Sequence, residues 1–148
     1  MRRALALALL ALLLSGCGFQ LRGLHGGEAV AFAADPAASP EALSALRRAG
    51  LVFRSDAPRI LLVRAPRWQR QTVSVDSAGR PLGHRLSLIL DYRIRSPDGR
   101  TLAAGRLQLF RDYISAPEEA LSQEAQETPL REALWREAAE RLRQEATP

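Results

Sequence analysis

Between Arg85 and Arg95 the chain alternates so regularly that it admits one local structure. Leu86, Leu88, Leu90, Tyr92 and Ile94 fall on one side; Arg85, Ser87, Asp91, Arg93 and Arg95 fall on the other, with Ile89 the exception. A period of two belongs to a β-strand with one buried face. Each buried leucine contributes roughly 1.5–3 kcal/mol. A slip of one residue would turn the whole apolar set to water, so the register is firmly specified. Ser96-Pro97-Asp98-Gly99 follows as a hairpin turn, with proline presetting φ and glycine free to take a positive φ. The next strand runs from about Thr101 to Ile114, where Leu107 and Leu109 alternate with Arg106 and Gln108.

Upstream, residues 28–34 carry Val30 and Phe32 and read as a first strand, closed by the turn Asp35-Pro36-Ala37-Ala38. Ser39 then stands at a helix N-cap, with Pro40 as the first helical residue and Glu41 in the first turn. Leu43 and Leu46 share one face, Arg47 and Arg48 suit the C-terminal end, and Gly50 stops the helix. Leu51-Val52-Phe53 begins extended structure, Asp56-Ala57-Pro58 interrupts it, and residues 59–63 with Thr72-Val73-Ser74-Val75 continue it. Together these pieces read as one second strand, broken or bulged near Pro66 because proline cannot donate to a ladder. Residues 77–83 form a turn. The last segment is helical: Thr128 caps it, Pro129 fits its first turn, and Leu130, Leu134, Ala138 and Leu142 recur every four residues, flanked by Trp135. Residues 117–127 read as loop or as an earlier helical piece, with loop preferred for the first half. The expected fold is α+β in two layers: a four-stranded, mostly antiparallel sheet with two helices packed on one face.

The N-terminus carries an address. Met1-Arg2-Arg3 is followed by Ala and Leu alone from Ala4 to Leu14, and then by Ser15-Gly16-Cys17. A basic start, a short apolar run and small residues before a cut make a secretory signal. The run is shorter than the roughly 20 residues that span a bilayer. Leu14-Ser15-Gly16-Cys17 resembles the lipobox of bacterial lipoproteins, which implies cleavage before Cys17 and acylation of that cysteine. Cys17 is the single cysteine, so no intrachain disulfide can form, and lipidation would also remove a free thiol from an oxidising compartment. More than one acyl chain anchors a protein stably. The chain then divides into a signal peptide, residues 1–16, a lipidated Gly-rich tether, 17–27, and a periplasmic domain, 28–148.

Composition removes several alternatives. The formal charge of +5 includes Arg2 and Arg3, which leave with the signal, so the mature domain is only mildly basic and no nucleic acid partner is expected. All 21 basic residues are arginine, whose planar fork suits phosphate and carboxylate. His25 and His84 are the only histidines and have no metal-ligand spacing partner. No G-x-S-x-G, P-loop or H-E-x-x-H is present. The expectation is a protein that is not an enzyme and needs no metal or cofactor. An enzyme would require Asp91, Arg93 and His84 to converge.

Cys17-Gly18-Phe19-Gln20-Leu21-Arg22, the order of elements, and the stretch containing Pro117, Ala120-Leu121, Leu134-Trp135, Ala138-Ala139-Glu140 and Leu142 together resemble the LptE family of lipopolysaccharide-assembly lipoproteins. The resemblance covers nearly the whole mature chain. It implies a lipid-anchored protein on the periplasmic side of the outer membrane. Such a protein sits inside the large barrel LptD as its plug, assists its folding and contacts lipopolysaccharide. The alternative is an accessory lipoprotein of another envelope lipid-transport or barrel-assembly complex.

Arginines are the candidate ligand residues. Arg80 and Arg85 flank the turn before the alternating strand, and Arg67 and Arg70 flank Trp68. If these strands form a hairpin, the four guanidinium groups gather at one sheet end and match the phosphates and carboxylates of lipopolysaccharide, with Trp68 against acyl chains or sugar. Arg93, Arg95, Arg106 and Gln108 form a polar strand face that suits either solvent or the water-lined wall of a barrel.

Overall fold

The computed structural model describes residues 30–114 and 123–147; the expected signal peptide, Cys17 and the expected tether lie outside them. Two strands dominate. β5 (Pro81–Arg95) and β6 (Thr101–Ile114) pair antiparallel along almost their full length, with Leu88 opposite Leu109 and Asp91 opposite Arg106. The turn between them is as expected. Gly99 has φ 88°, its N–H donates to the Ser96 carbonyl, and Ser96 N–H donates to the Arg100 carbonyl. The turn before β5 repeats this geometry at Asp76–Arg80 with Gly79 at φ 78°. Only glycine takes such a φ without steric cost, and a glycine there closes a three-residue hairpin.

Along the other edge of β5 run β3 (Ile60–Val63) and β4 (Arg67–Val75), both antiparallel to it. They are the single strand broken near Pro66. Val63 faces Tyr92 and Arg67 faces Ile89, so four steps on this edge oppose three on β5. One residue is therefore extra, the signature of a bulge. Every side chain after the bulge changes sheet face relative to an unbroken strand. Trp68 and Arg70 consequently share the face of Leu86 and Leu88, while Arg67 points the other way.

The sheet has six strands and is mixed, not four-stranded and mostly antiparallel. β1 (Ala31–Ala34) runs parallel to β3, and β2 (Val52–Phe53) runs parallel to β1 on its far side. The cause is the helix α1 (Pro40–Arg48) that separates β1 from β2. A helical crossover returns the chain in parallel, so Leu51–Phe53 lands beside β1 and not on β3. The break at Asp56-Ala57-Pro58 then carries the chain back across β1. The start of α1 is as expected: the Ser39 hydroxyl accepts from Ala42 N–H at 3.4 Å, Pro40 opens the first turn, and Arg47 and Arg48 close the last.

The second helix, α2 (Gln123–Glu145), begins earlier than Thr128 and holds Pro129 in its interior. Thr128 is not a cap; its hydroxyl donates back to the Glu124 carbonyl at 2.8 Å. Leu134, Ala138, Ala139 and Leu142 of α2 are fully buried with Ala42 and Leu46 of α1 against Leu86, Leu88, Leu90 and Ile94. Both helices thus cover one sheet face.

Candidate functional site

The outer sheet face is a row of ion pairs. Asp91 accepts from Arg106 Nε at 2.6 Å and from Arg67 Nη1 at 3.2 Å. Arg85 grips Asp112 with two bonds of 2.7 and 2.8 Å, and its guanidinium lies 4.2 Å from the Phe110 ring centre. The Arg106 hydrogen bond, opposed by desolvation and helped by Arg67, holds Asp91 below the usual carboxylate range; Arg85 does the same for Asp112. These pairs follow from register, since Arg85 and Asp112 face each other across the ladder, as do Asp91 and Arg106.

On the other face, α2 lies over a polar cluster that sequence reasoning missed. The carboxylate of Glu127 is buried between α2, β4 and β6. It accepts from Tyr113 Oη at 2.9 Å, Gln123 Nε2 at 3.0 Å, Arg131 Nη2 at 3.0 Å and Arg70 Nη1 at 3.4 Å. Burial opposes its ionisation, but the bonds from Arg131 and Tyr113 and the charges of Arg131 and Arg70 prevail, and its pKa stays below the ordinary value. Above this cluster, Arg131 stacks 4.5 Å from the ring centre of Trp68, which meets Trp135 edge-to-face at 6.2 Å. The signal for this arrangement was the i, i+4, i+8 stripe Glu127, Arg131, Trp135. That its partner would be Trp68 depends on the bulge.

The five candidate ligand residues are not brought together. Arg67 and Arg85 lie on the outer face, opposite Ile89 and Gln71, roughly 13 Å apart along the strand. Trp68 and Arg70 lie under α2. Arg80 belongs to the β4–β5 turn and is held to Asp76 at 2.7 Å. The end of the sheet nearest Arg80 does carry exposed apolar side chains, Val73, Val75 and Ile114.

An enzyme-like convergence of Asp91, Arg93 and His84 does not occur. His84 is on the helix-covered face, stacked on Tyr113 at 5.4 Å. Asp91 is on the opposite face, seven residues or roughly 23 Å along β5. Among the described residues no group of three or more His, Cys, Asp or Glu could hold a metal ion. None of the described helices is long and apolar enough to cross a membrane.

Comparison with known proteins adds the following. The family model LptE, lipopolysaccharide-assembly, matches residues 28–145. No curated protein matches. Among solved structures, rare lipoprotein B from Shewanella oneidensis superposes with a TM-score of 0.61 at 20% identity, over 77% of this chain and 91% of that one. An uncharacterized lipoprotein B from Nitrosomonas europaea gives 0.59 at 17% identity, over 76% and 77%. A minor lipoprotein from Acinetobacter baumannii gives 0.55 at 18%, over 78% and 89%. At these identities the superpositions establish a shared fold.

Proposed function

Because the chain belongs to the LptE lipopolysaccharide-assembly family, we propose that it is an outer-membrane lipoprotein that occupies the lumen of an LptD-like barrel, assists the folding of that barrel and contacts lipopolysaccharide. The observation that carries this reading is the family match across residues 28–145, which spans the whole folded domain. Its role is structural and binding, not catalytic. Cys17 is the anchor, acylated after removal of residues 1–16.

The geometry supports the parts of this reading unequally. A plug must present its partner with a surface that tolerates a polar, water-lined wall. The outer sheet face suits that, because its carboxylates Asp91 and Asp112 are already neutralised by Arg67, Arg106 and Arg85. Docking this face would bury Asp91 and Asp112 as ion pairs and not as lone anions, which lowers their desolvation cost. For lipopolysaccharide, the sheet end around Arg80 sets one exposed guanidinium, paired with Asp76, beside exposed Val73, Val75 and Ile114. An amphiphile with phosphates beside acyl chains requires that combination. Arg67, Trp68, Arg70, Arg80 and Arg85 remain the residues proposed to contact it, now as separate subsites.

The test is purification of the full-length tagged protein from native membranes in mild detergent, with mass spectrometry of its partners and its mature N-terminus. The expected result is a triacylated Cys17 and a large outer-membrane barrel in equal amount. An acylated Cys17 with a different envelope complex would overturn the barrel assignment and leave the anchor standing.

A further inference from the structure

Between α1 and α2 lies an open groove of about 490 Å³, lined by Glu41, Ala45, Arg48 and Ala49 from one helix and Thr128, Arg131, Glu132, Trp135 and Arg136 from the other, with Trp68 of β4 between them. That volume is within the range of small-molecule sites, roughly 300–1,000 Å³. Both tryptophans of the chain are here. The indoles are locked edge-to-face, and Arg131 is fixed over Trp68 by its bond to buried Glu127. A floor held this way loses little entropy when it is occupied.

The rim chemistry narrows the occupant. Arg48 and Arg136 form no ion pair among the described residues, and neither do Glu41 and Glu132. The groove therefore offers strong donors and strong acceptors over aromatic rings, with the charges of its four unpaired groups in balance. An acyl chain would leave those charges desolvated and unmatched. An acidic peptide side chain brings a carboxylate for the arginines but neither a ring face for the indoles nor hydroxyl donors for Glu41 and Glu132. A sugar ring bearing an acid group satisfies all the elements: its apolar face lies on indole, its hydroxyls donate to the carboxylates, and its acid accepts from arginine forks.

We propose that this groove is a glycan site for an acidic sugar residue, with the ring on Trp68 and Trp135, the acid group on Arg48 and Arg136, and hydroxyls on Glu41 and Glu132. It lies on the helix-covered face, opposite the ion-pair rows. The acidic sugar is carried either by lipopolysaccharide or by another envelope glycan.

The two indoles make the site its own reporter. Trigalacturonate titrated into the full mature chain in detergent should change the tryptophan emission saturably, while neutral maltotriose should not. Arg48→Ala and Arg136→Ala should each weaken trigalacturonate binding about tenfold, the effect of one lost charge-assisted contact, with unchanged circular dichroism. Competition by deacylated lipopolysaccharide would support the site and identify that glycan as the carrier. Binding without such competition would support the site with another carrier. No saturable response to trigalacturonate, equal binding of maltotriose, or unaltered binding by both arginine variants would overturn the proposal. None of these readouts involves the barrel, so failure here and failure of the plug reading are separate results.

Discussion

The two faces of the sheet are built from the same strands, yet they solve opposite problems. The covered face buries Leu86, Leu88, Leu90 and Ile94 under two helices and tolerates the Glu127 carboxylate because it is saturated with donors. The outer face leaves Arg67, Arg85 and Arg106 exposed and pairs them with Asp91 and Asp112 in water. Exposed pairs of this kind add little stability. The comparison separates what holds the fold together from what is displayed, and the bulge at Pro66 decides which face receives Trp68 and Arg70.

Deleting Ala65 should have the largest effect. Removing the extra residue would return β4 to continuous register, turn Trp68 and Arg70 outward and bring Arg67 and Gln69 under α2. The expected loss is on the order of 4 kcal/mol, from exposing an indole and removing a partner of Glu127. Urea unfolding would give the loss and tryptophan emission the exposure; a wild-type spectrum would show that the bulge does not set the face. Leu90→Ala comes next, with an expected cost of roughly 3 kcal/mol from a cavity in the core. Calorimetry that found it no worse than Gln108→Ala on the outer face would erase the distinction between the two faces.

Glu127→Ala should cost about 2 kcal/mol, because Tyr113, Arg70 and Arg131 lose their acceptor while the arginine tips still reach solvent. Glu127→Gln isolates the charge. The folded pKa of Glu127 lies below its ordinary value, so its ionised form contributes stability above the unfolded value, and that stability disappears as pH falls through the folded one. Thermal melts of wild type should therefore decline through the acid range more steeply than those of Glu127→Gln; parallel profiles would place the acid sensitivity elsewhere. The smallest effect is expected for Arg85→Ala. Its unfolding midpoint should match wild type and its melting should lose a slight salt dependence. A clear drop would mean that the outer pairs carry structure as well as display.

Much of this was legible in the sequence. The alternation from Leu86 to Ile94, the Gly99 turn and the Ser39–Pro40 cap all appear where local pattern places them, because backbone chemistry and side-chain periodicity act within a few residues. The kink at Pro66 was legible too, as a missing donor. Its consequence was not: whether a break adds a residue depends on counting against β5, a strand some 20 residues away in the chain. The start of α2 was misread for a related reason. Pro129 and Thr128 mimic a helix start, but Glu127 is anchored by Tyr113 and Arg70 from the sheet, and that anchorage continues the helix back to Gln123.

By itself the sequence determined the two faces of β5, the turns, the first helix and the class of fold, since each follows from local preference and the need to bury apolar stripes. Tertiary structure alone decided that β2 would cross to the far side of β1, that the four candidate arginines would be distributed over two faces and a turn, and that two tryptophans 67 residues apart would share a groove. Those outcomes depend on register and on crossover direction. Both are fixed by which distant surfaces pack best, which no short window of sequence contains.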